Sequence, residues 1–297
     1  MRPVGSRTDG LPTLEKGGQC ARRSHHTPVD SLFAWNRDQG DADTVETQGA
    51  CRCRKRFGNA CRQLEQKHVS ARNRRGECLY CGRHAKLTRD HIPPRALFGT
   101  RPTAQLLTVL CCSNCNRTAA PDDEYFRLNL ALRDDLGEER DVVDIIPSVM
   151  RSLHRPEAPG LRAGFLAGVR NIEVTTPAGI ILGTRMAYDV DLNRLARVPT
   201  RIVRALFSRQ RGCRLPDGYD VHTLAAAGFR TADREFAEQV HEFLAPLINT
   251  QPISVGRVFS YWVTFEPNDP NVSVWLTLFF RRVVFISFTL PHGALAG

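Results

Sequence analysis

Two pairs of cysteines with the same short spacing are the strongest chemical signal in the chain. Cys78 and Cys81 form one C-x-x-C pair, and Cys112 and Cys115 form the other. Four thiolates in two such pairs match the ligand set of a structural zinc ion, which binds Cys sulfur at about 2.3 Å in a tetrahedron. Disulfide pairing would need an oxidising compartment, of which the sequence shows no other sign. The spacing therefore predicts a zinc site made of four cysteines.

A carboxylate, an imidazole and an amide accompany these cysteines. Asp90 and His91 lie between the two pairs, and Asn116 directly follows the last cysteine. An imidazole exchanges a proton near neutral pH and can activate water, while carboxylate and amide oxygens bind a hard divalent ion. Such an ion stabilises negative charge on a phosphate and on its leaving oxygen. The pattern predicts His91 as general base, with Asp90 and Asn116 as ligands of a catalytic Mg²⁺ or Mn²⁺.

Two short strands and a helix are expected to position these side chains. Apolar, β-compatible runs at 87–92 and 106–110 predict the strands, and a helix is predicted to begin at the second cysteine pair. A zinc ion would join the start of this hairpin to the start of the helix. Asp90 and His91 would then lie close to Asn116, although 25 positions separate His91 from Asn116.

These residues resemble a known family, the HNH or ββα-metal endonucleases of the zinc-ribbon type. The resemblance covers the first cysteine pair, Asp90-His91 with Pro94 three residues on, and the run from Cys112 to Asn116. It implies divalent-metal-dependent hydrolysis of phosphodiester bonds in nucleic acid, with DNA as the expected substrate. One position departs from the family, because its middle Asn corresponds to Gln105 or its neighbour here. Gln105 offers the same amide on a longer side chain.

Two other classes of function fit the same residues. Four cysteines alone are typical of a structural zinc ribbon, and an isolated Asp-His pair often has no catalytic role. The chain is then either a catalytically inactive, zinc-dependent nucleic-acid-binding module or an interaction protein that recruits a partner. Nicking of plasmid DNA would distinguish the enzyme from both.

Composition and charge favour a polyanionic partner. The chain has 297 residues, a formal net charge of +10, 42% hydrophobic residues and 24% charged residues. The composition is ordinary for a globular protein, and excess positive charge favours nucleic acid through steering and counterion release. No apolar run suits a signal peptide or a membrane span, and zinc-type cysteine pairs suit a reducing compartment. We therefore expect a cytoplasmic protein that contacts no membrane.

Residues 1–75 are predicted to form a disordered basic segment. They are rich in polar residues and Gly, and they lack helical or alternating apolar patterns. Between Cys51 and Arg75 there are nine Lys or Arg residues and one Glu, a net charge of +8. This run either holds a phosphate backbone or is a solvated tail.

A helix predicted at 191–209 carries two stripes of side chains. Leu195, Val198, Ile202 and Leu206 form an apolar stripe. Four arginines form a second stripe, rotated by about 120° from the first. These arginines either line a nucleic-acid channel, since Arg binds phosphate bidentately, or form a solvated face. The predicted phosphate contacts are this stripe and the arginines around the site, namely Arg89, Arg95, Arg117, Arg194, Arg197, Arg201 and Arg204.

Other signals outline the rest of the chain. Pro121 and the acids that follow it predict the start of a helix, and Thr231 predicts the N-cap of another. Runs at 172–176 and 179–190 predict two strands, and runs at 253–265, 272–280 and 283–289 predict an antiparallel meander. Core positions are favoured over base stacking for the aromatic residues Tyr261, Trp262, Trp275, Phe279 and Phe280.

The combined prediction is an α+β protein in three parts. After the disordered segment at 1–75 comes a zinc-stapled ββα-metal unit at 76–136, interpreted as an HNH nuclease domain. An α+β accessory domain at 137–297 follows and ends in the meander.

Overall fold

The protein is a mixed α+β structure, which confirms the predicted class. The computed structural model describes residues 74–99, 105–156, 159–176, 178–225 and 244–294. Most of the basic segment predicted at 1–75 lies outside these residues, and so does most of the helix predicted from Thr231, whose last residues at 244–248 are described and helical. Within the described ranges, no helix combines the length and the apolar character needed to cross a bilayer.

A three-stranded antiparallel sheet contains the residues between the cysteine pairs. Its strands, in the order β1-β2-β3, are β1 (Arg75–Glu77), β2 (His84–Ile92) and β3 (Leu107–Cys112). The runs predicted at 87–92 and 106–110 fall largely within β2 and β3. In the β2–β3 register, Asp90 lies opposite Val109 and His91 lies opposite Thr108.

Helix α1 (Ser113–Ala131) begins directly after β3, and Pro121 lies inside it. The predicted helix start at Pro121 is therefore wrong. The helix begins earlier because the Cys112 side chain caps it by accepting a hydrogen bond from the Cys115 amide. No helix-breaking residue intervenes before Pro121, whose own missing N–H removes one hydrogen bond from the helix interior.

Two helices and a hairpin connect α1 to the arginine-rich helix. They are α2 (Arg140–Leu153), α3 (Pro159–Ala167) and the paired strands β4 (Arg170–Thr175) and β5 (Ile181–Ala187). Helix α4 (Leu192–Arg211) matches the helix predicted at 191–209 closely. Asp191 caps it by accepting from the Arg194 amide, and Gly212 ends it with a φ of 71°, a conformation that favours glycine.

A five-stranded antiparallel sheet ends the described chain. Its strands, in the order β6-β10-β9-β8-β7, are β6 (Tyr219–Ala225), β7 (Ile253–Val255), β8 (Phe259–Phe265), β9 (Ser273–Phe279) and β10 (Val283–Pro291). The run predicted as one strand at 253–265 forms two strands, because the chain turns at Gly256, which has a φ of 58°. The sequence patterns did not indicate β6, which pairs with β10.

One cluster of buried side chains joins the small sheet, α1, α4 and the large sheet. Ile92, Phe126, Ile202 and Phe285 belong to it, and each is at most 1% exposed. Burying an apolar side chain of this size contributes about 1.5–3 kcal/mol. The whole apolar stripe of α4 is buried, and so are the five aromatic residues assigned to the core, which confirms both predictions. This shared core fixes α4 against the elements that carry the candidate site.

Candidate functional site

The four cysteines predicted to bind zinc lie together. Cys78 and Cys81 belong to the turn between β1 and β2, Cys112 ends β3, and Cys115 lies in the first turn of α1. Their four Sγ atoms all lie within 4.8 Å of one another. The first turn is closed by a hydrogen bond from the Gly82 amide to the Cys78 carbonyl, and Gly82 has a φ of 69°. The donor set and its size fit one tetrahedral zinc ion.

Backbone amides stabilise negative charge on these sulfurs. The Cys115 amide lies 3.4 Å from Cys112 Sγ, and the Cys112 amide lies 3.2 Å from Cys78 Sγ. The bond from Cys115 lowers the pKa of the Cys112 thiol to about 7. Cys111 differs, because burial raises the pKa of its thiol to about 12. It is not one of the four clustered cysteines, so Cys112 and not Cys111 belongs to the candidate metal site.

The side chain of Asp90, on β2, is buried and has two polar neighbours. Its side chain accepts a hydrogen bond of 2.7 Å from the Tyr80 hydroxyl, and its Oδ2 lies 3.6 Å from Arg201 Nε. Burial first, and then the negative charge of Asp90, raise the pKa of Tyr80, so the hydroxyl remains a donor. Asp90 is 6% exposed. The carboxylate predicted to bind a catalytic ion is therefore held by two side chains of this chain.

His91 follows Asp90 on the strand and is partly exposed. Successive side chains of a strand point to opposite sides, so the imidazole lies on the other side of β2 from the Asp90 carboxylate. Among the described residues, no hydrogen bond to the imidazole is formed. Its ring nitrogens are therefore available to water or to a substrate.

Asn116 connects the start of α1 to β2. Its amide nitrogen donates to the Arg89 carbonyl at 3.3 Å and to Thr88 Oγ1 at 3.2 Å. A carbonyl only accepts hydrogen bonds, so the Asn116 nitrogen must face β2. Its Oδ1 then has no hydrogen-bond partner within the described part of the chain. The structure thus holds Asn116 against the residues that precede Asp90, with its oxygen atom available to a cation.

Hydrogen bonds within the described ranges do not join the three predicted catalytic residues, Asp90, His91 and Asn116. The fold places the Asn116 amide against the backbone of β2, the strand that carries Asp90 and His91. The cysteine cluster lies next to them. Gln105, which the resemblance aligns with a middle Asn, is exposed and lies two residues before β3.

Three of the four arginines in the α4 stripe pair with carboxylates of α1. Arg194 Nε donates to Asp122 at 3.0 Å, Arg197 reaches the same carboxylate at 3.5 Å, and Arg201 Nη2 lies 2.6 Å from Asp123 Oδ1. Burial disfavours charge on Arg201, but the carboxylates of Asp123 and Asp90 outweigh it and raise its pKa. The stripe predicted to line a nucleic-acid channel is therefore partly neutralised within the fold.

Tyr80, Asp122 and Asp123 are site residues that the sequence patterns did not indicate. Asp122 was interpreted as part of a helix cap, because the helix was expected to start at Pro121. With the observed start at Ser113, Asp122 follows Cys115 by two helical turns and lies on the same face of α1. The helix predicted to begin at the second cysteine pair shows this relationship once it is extended through Pro121.

The remaining predicted phosphate contacts lie at the surface. Arg89 on β2, Arg95 after it and Arg117 on α1 are exposed. Within the described chain, none of the three forms an ion pair. Their side chains are free to contact a polyanion, and this role stays a prediction.

Comparison with protein-family models, curated proteins and solved structures gives no match to this chain. The resemblance to HNH endonucleases therefore rests on the sequence pattern between Cys78 and Asn116. Four clustered cysteines by themselves do not identify that family, because structural zinc sites of many proteins use the same ligands.

Proposed function

We propose that the chain is a metal-dependent endonuclease of the HNH type, which hydrolyses phosphodiester bonds in nucleic acid, with DNA as the expected substrate. One observation carries the proposal. The Asn116 amide is anchored on the strand that holds Asp90 and His91, beside a cluster of four cysteines that fits zinc. The residue pattern predicted that all three side chains would converge; the Asn116 amide lies against β2, and the His91 imidazole lies on the other side of that strand from the Asp90 carboxylate.

Each residue then has a distinct role. The unpaired imidazole of His91 takes the proton from the attacking water. Asn116 Oδ1 and the Asp90 carboxylate are the oxygen donors for Mg²⁺ or Mn²⁺, a bound ion that would supply charge stabilisation at the phosphate. Zinc at the four cysteines would have a structural role, since four protein ligands leave no open coordination position.

A second function is favoured by the environment of Asp90. Its carboxylate is 6% exposed and is held by Tyr80 and Arg201. If this arrangement persists when nucleic acid binds, the chain is a zinc-dependent nucleic-acid-binding module without catalytic activity. The net charge of +10 suits either function.

Plasmid nicking by the zinc-loaded chain with Mg²⁺ or Mn²⁺ tests the proposal. We expect nicking that is lost in His91→Ala and retained in His84→Ala, a matched histidine at the exposed start of β2. Nicking that survives in His91→Ala would point to a contaminant. Salt-sensitive DNA binding without any nicking would instead establish the binding module.

A further inference from the structure

A cavity lies between helices α1 and α4, next to the cysteine cluster. Its volume is about 430 Å³, which falls within the range of small-molecule sites. Cys115, Thr118 and Asp122 line it from α1, and Arg197 and Arg201 line it from α4. The cavity therefore starts one residue away from Asn116 and extends along α1.

The polar groups around the cavity suit an anion. Three guanidinium groups line it, from Arg197, Arg201 and Arg204, against the single carboxylate of Asp122. Thr118, Thr200 and Tyr80 also line it, but the Thr118 hydroxyl donates to the Asn114 carbonyl and the Tyr80 hydroxyl to Asp90, so the guanidinium groups are the donors for an anion. A guanidinium binds phosphate through two parallel hydrogen bonds, which makes phosphate the anion that this lining fits best.

The internal ion pairs leave donors on these arginines available. The Arg197 side chain is 64% exposed, and it shares Asp122 with Arg194, which holds the closer position. Arg204 lies 3.7 Å from Asp220, beyond hydrogen-bond distance, and His292 contacts the same carboxylate. Arg201 Nε is buried without a hydrogen-bond partner. A phosphate in the cavity would find donors on Arg197 and Arg204, whereas the buried Arg201 Nε faces Asp90.

We propose that the α1–α4 cavity is a subsite for one phosphate group of a nucleic acid strand. The identification of the ligand as nucleic acid rests on the proposed function, because the cavity adjoins the residues assigned to phosphodiester hydrolysis. A strand bound there would place its neighbouring phosphates along α1 toward Asn116. Arg201 lines the cavity and also contacts Asp90, so a phosphate that draws Arg201 toward the cavity leaves the Asp90 carboxylate free for a cation.

A charge change at Ala196, which lines the cavity on α4, tests the subsite. Ala196→Glu adds a carboxylate to the cavity, and Ala196→Gln adds a side chain of the same size without charge. Binding of a short fluorescein-labelled DNA strand to the zinc-loaded chain is measured by anisotropy without added divalent ion. We expect the Glu variant to bind about tenfold more weakly than the Gln variant, as for the loss of one charge-assisted hydrogen bond. Equal affinities of the two folded variants would overturn the proposal.

A second pair of variants controls for misfolding of the Ala196 variants. Arg197→Ala changes an exposed side chain and should weaken DNA binding, whereas Arg140→Ala, at the exposed start of α2, should not. Competition with inorganic phosphate and deoxyadenosine monophosphate identifies the source of the phosphate. Displacement of DNA by the mononucleotide would overturn the assignment to a strand, and a failure to displace it would support that assignment.

The outcomes also separate this inference from the proposed nuclease function. A difference between the Glu and Gln variants without plasmid nicking would support the subsite and reject the nuclease. Nicking by the wild-type chain with identical binding by both variants would support the nuclease and reject the subsite.

Discussion

Arg201 Nε lies 3.6 Å from Asp90 Oδ2, so a cation of helix α4 occupies one side of the carboxylate predicted to bind a metal ion. The side chains are 12% and 8% exposed, respectively, and solvent screens the pair little. Arg201 is itself held by Asp123, which is outside the cysteine-bracketed segment. Helices α1 and α4 therefore both contribute to the charge environment of the candidate site.

Replacing Arg201 should strengthen binding of a divalent ion at Asp90. In Arg201→Gln the positive charge beside the carboxylate is gone, and we expect Mn²⁺ to bind about tenfold more tightly, given the strength of a charge pair at this distance. Titration of the zinc-loaded protein, followed by the electron paramagnetic resonance signal of free Mn²⁺, measures this. Arg197→Gln is the matched control, because its pairing is with Asp122. An unchanged Mn²⁺ affinity in Arg201→Gln would show that Asp90 is not a ligand.

Zinc binding should depend on Cys112 and be independent of its neighbour Cys111. Cys112→Ser removes one of the four clustered sulfurs, and we expect the protein to lose stoichiometric zinc. Cys111→Ser changes a buried thiol that contacts Thr88 and leaves the cluster intact. Elemental analysis of the purified variants and loss of structure on chelation, followed by circular dichroism, check both expectations. Zinc retained by Cys112→Ser and lost by Cys111→Ser would show that Cys111 is the zinc ligand and Cys112 is not.

The cysteine cluster was predictable because C-x-x-C spacing is a local property. Each pair needs one tight turn, and zinc geometry dictates that the two pairs meet. The strands around Asp90 and the two stripes of α4 were predictable for a similar reason, since periodicity reports burial within one element. Nothing local indicated the partners of the arginine stripe. Those partners lie more than 70 positions away on α1, so only the packing of the two helices brings them together.

The environment of Asp90 was not predictable from the spacing either. Tyr80 lies inside the first cysteine turn, and nothing in the sequence distinguishes it from any other residue between two cysteine ligands. Its hydroxyl reaches Asp90 because the turn folds back over β2. The long β6–β10 pairing was missed because the run at 219–225 combines polar and apolar residues without a clear alternation.

The ionisation of Asp123 should make stability depend on pH. Burial raises the pKa of this carboxyl to about 6 from an ordinary value of 3.8, despite the opposing effect of Arg201. The folded chain then holds the proton more tightly than the unfolded chain, so this contribution to stability is present below pH 3.8 and is lost as the pH rises to about 6. The free energy of unfolding of the wild type, measured in urea, should therefore fall as the pH rises across this range. The Asp123→Asn variant should not show this fall.

An exposed aspartate provides the comparison for this measurement. Asp134, in the turn after α1, has no ion pair among the described residues, and Asp134→Asn should keep the pH dependence of the wild type. Parallel curves for wild type and Asp123→Asn would contradict the assignment of the raised pKa to Asp123.

The Tyr80 hydroxyl should contribute measurably to stability through Asp90. Tyr80→Phe removes the donor of a 2.7 Å hydrogen bond and leaves a buried carboxylate oxygen without it. Loss of a hydrogen bond to a charged group costs about 1.5–3 kcal/mol. Tyr188→Phe removes a hydroxyl whose bond to the Asn129 carbonyl is 3.4 Å long and neutral, so its cost should be smaller. Urea unfolding of the zinc-loaded variants compares the two, and equal losses of stability would show that Asp90 does not depend on Tyr80.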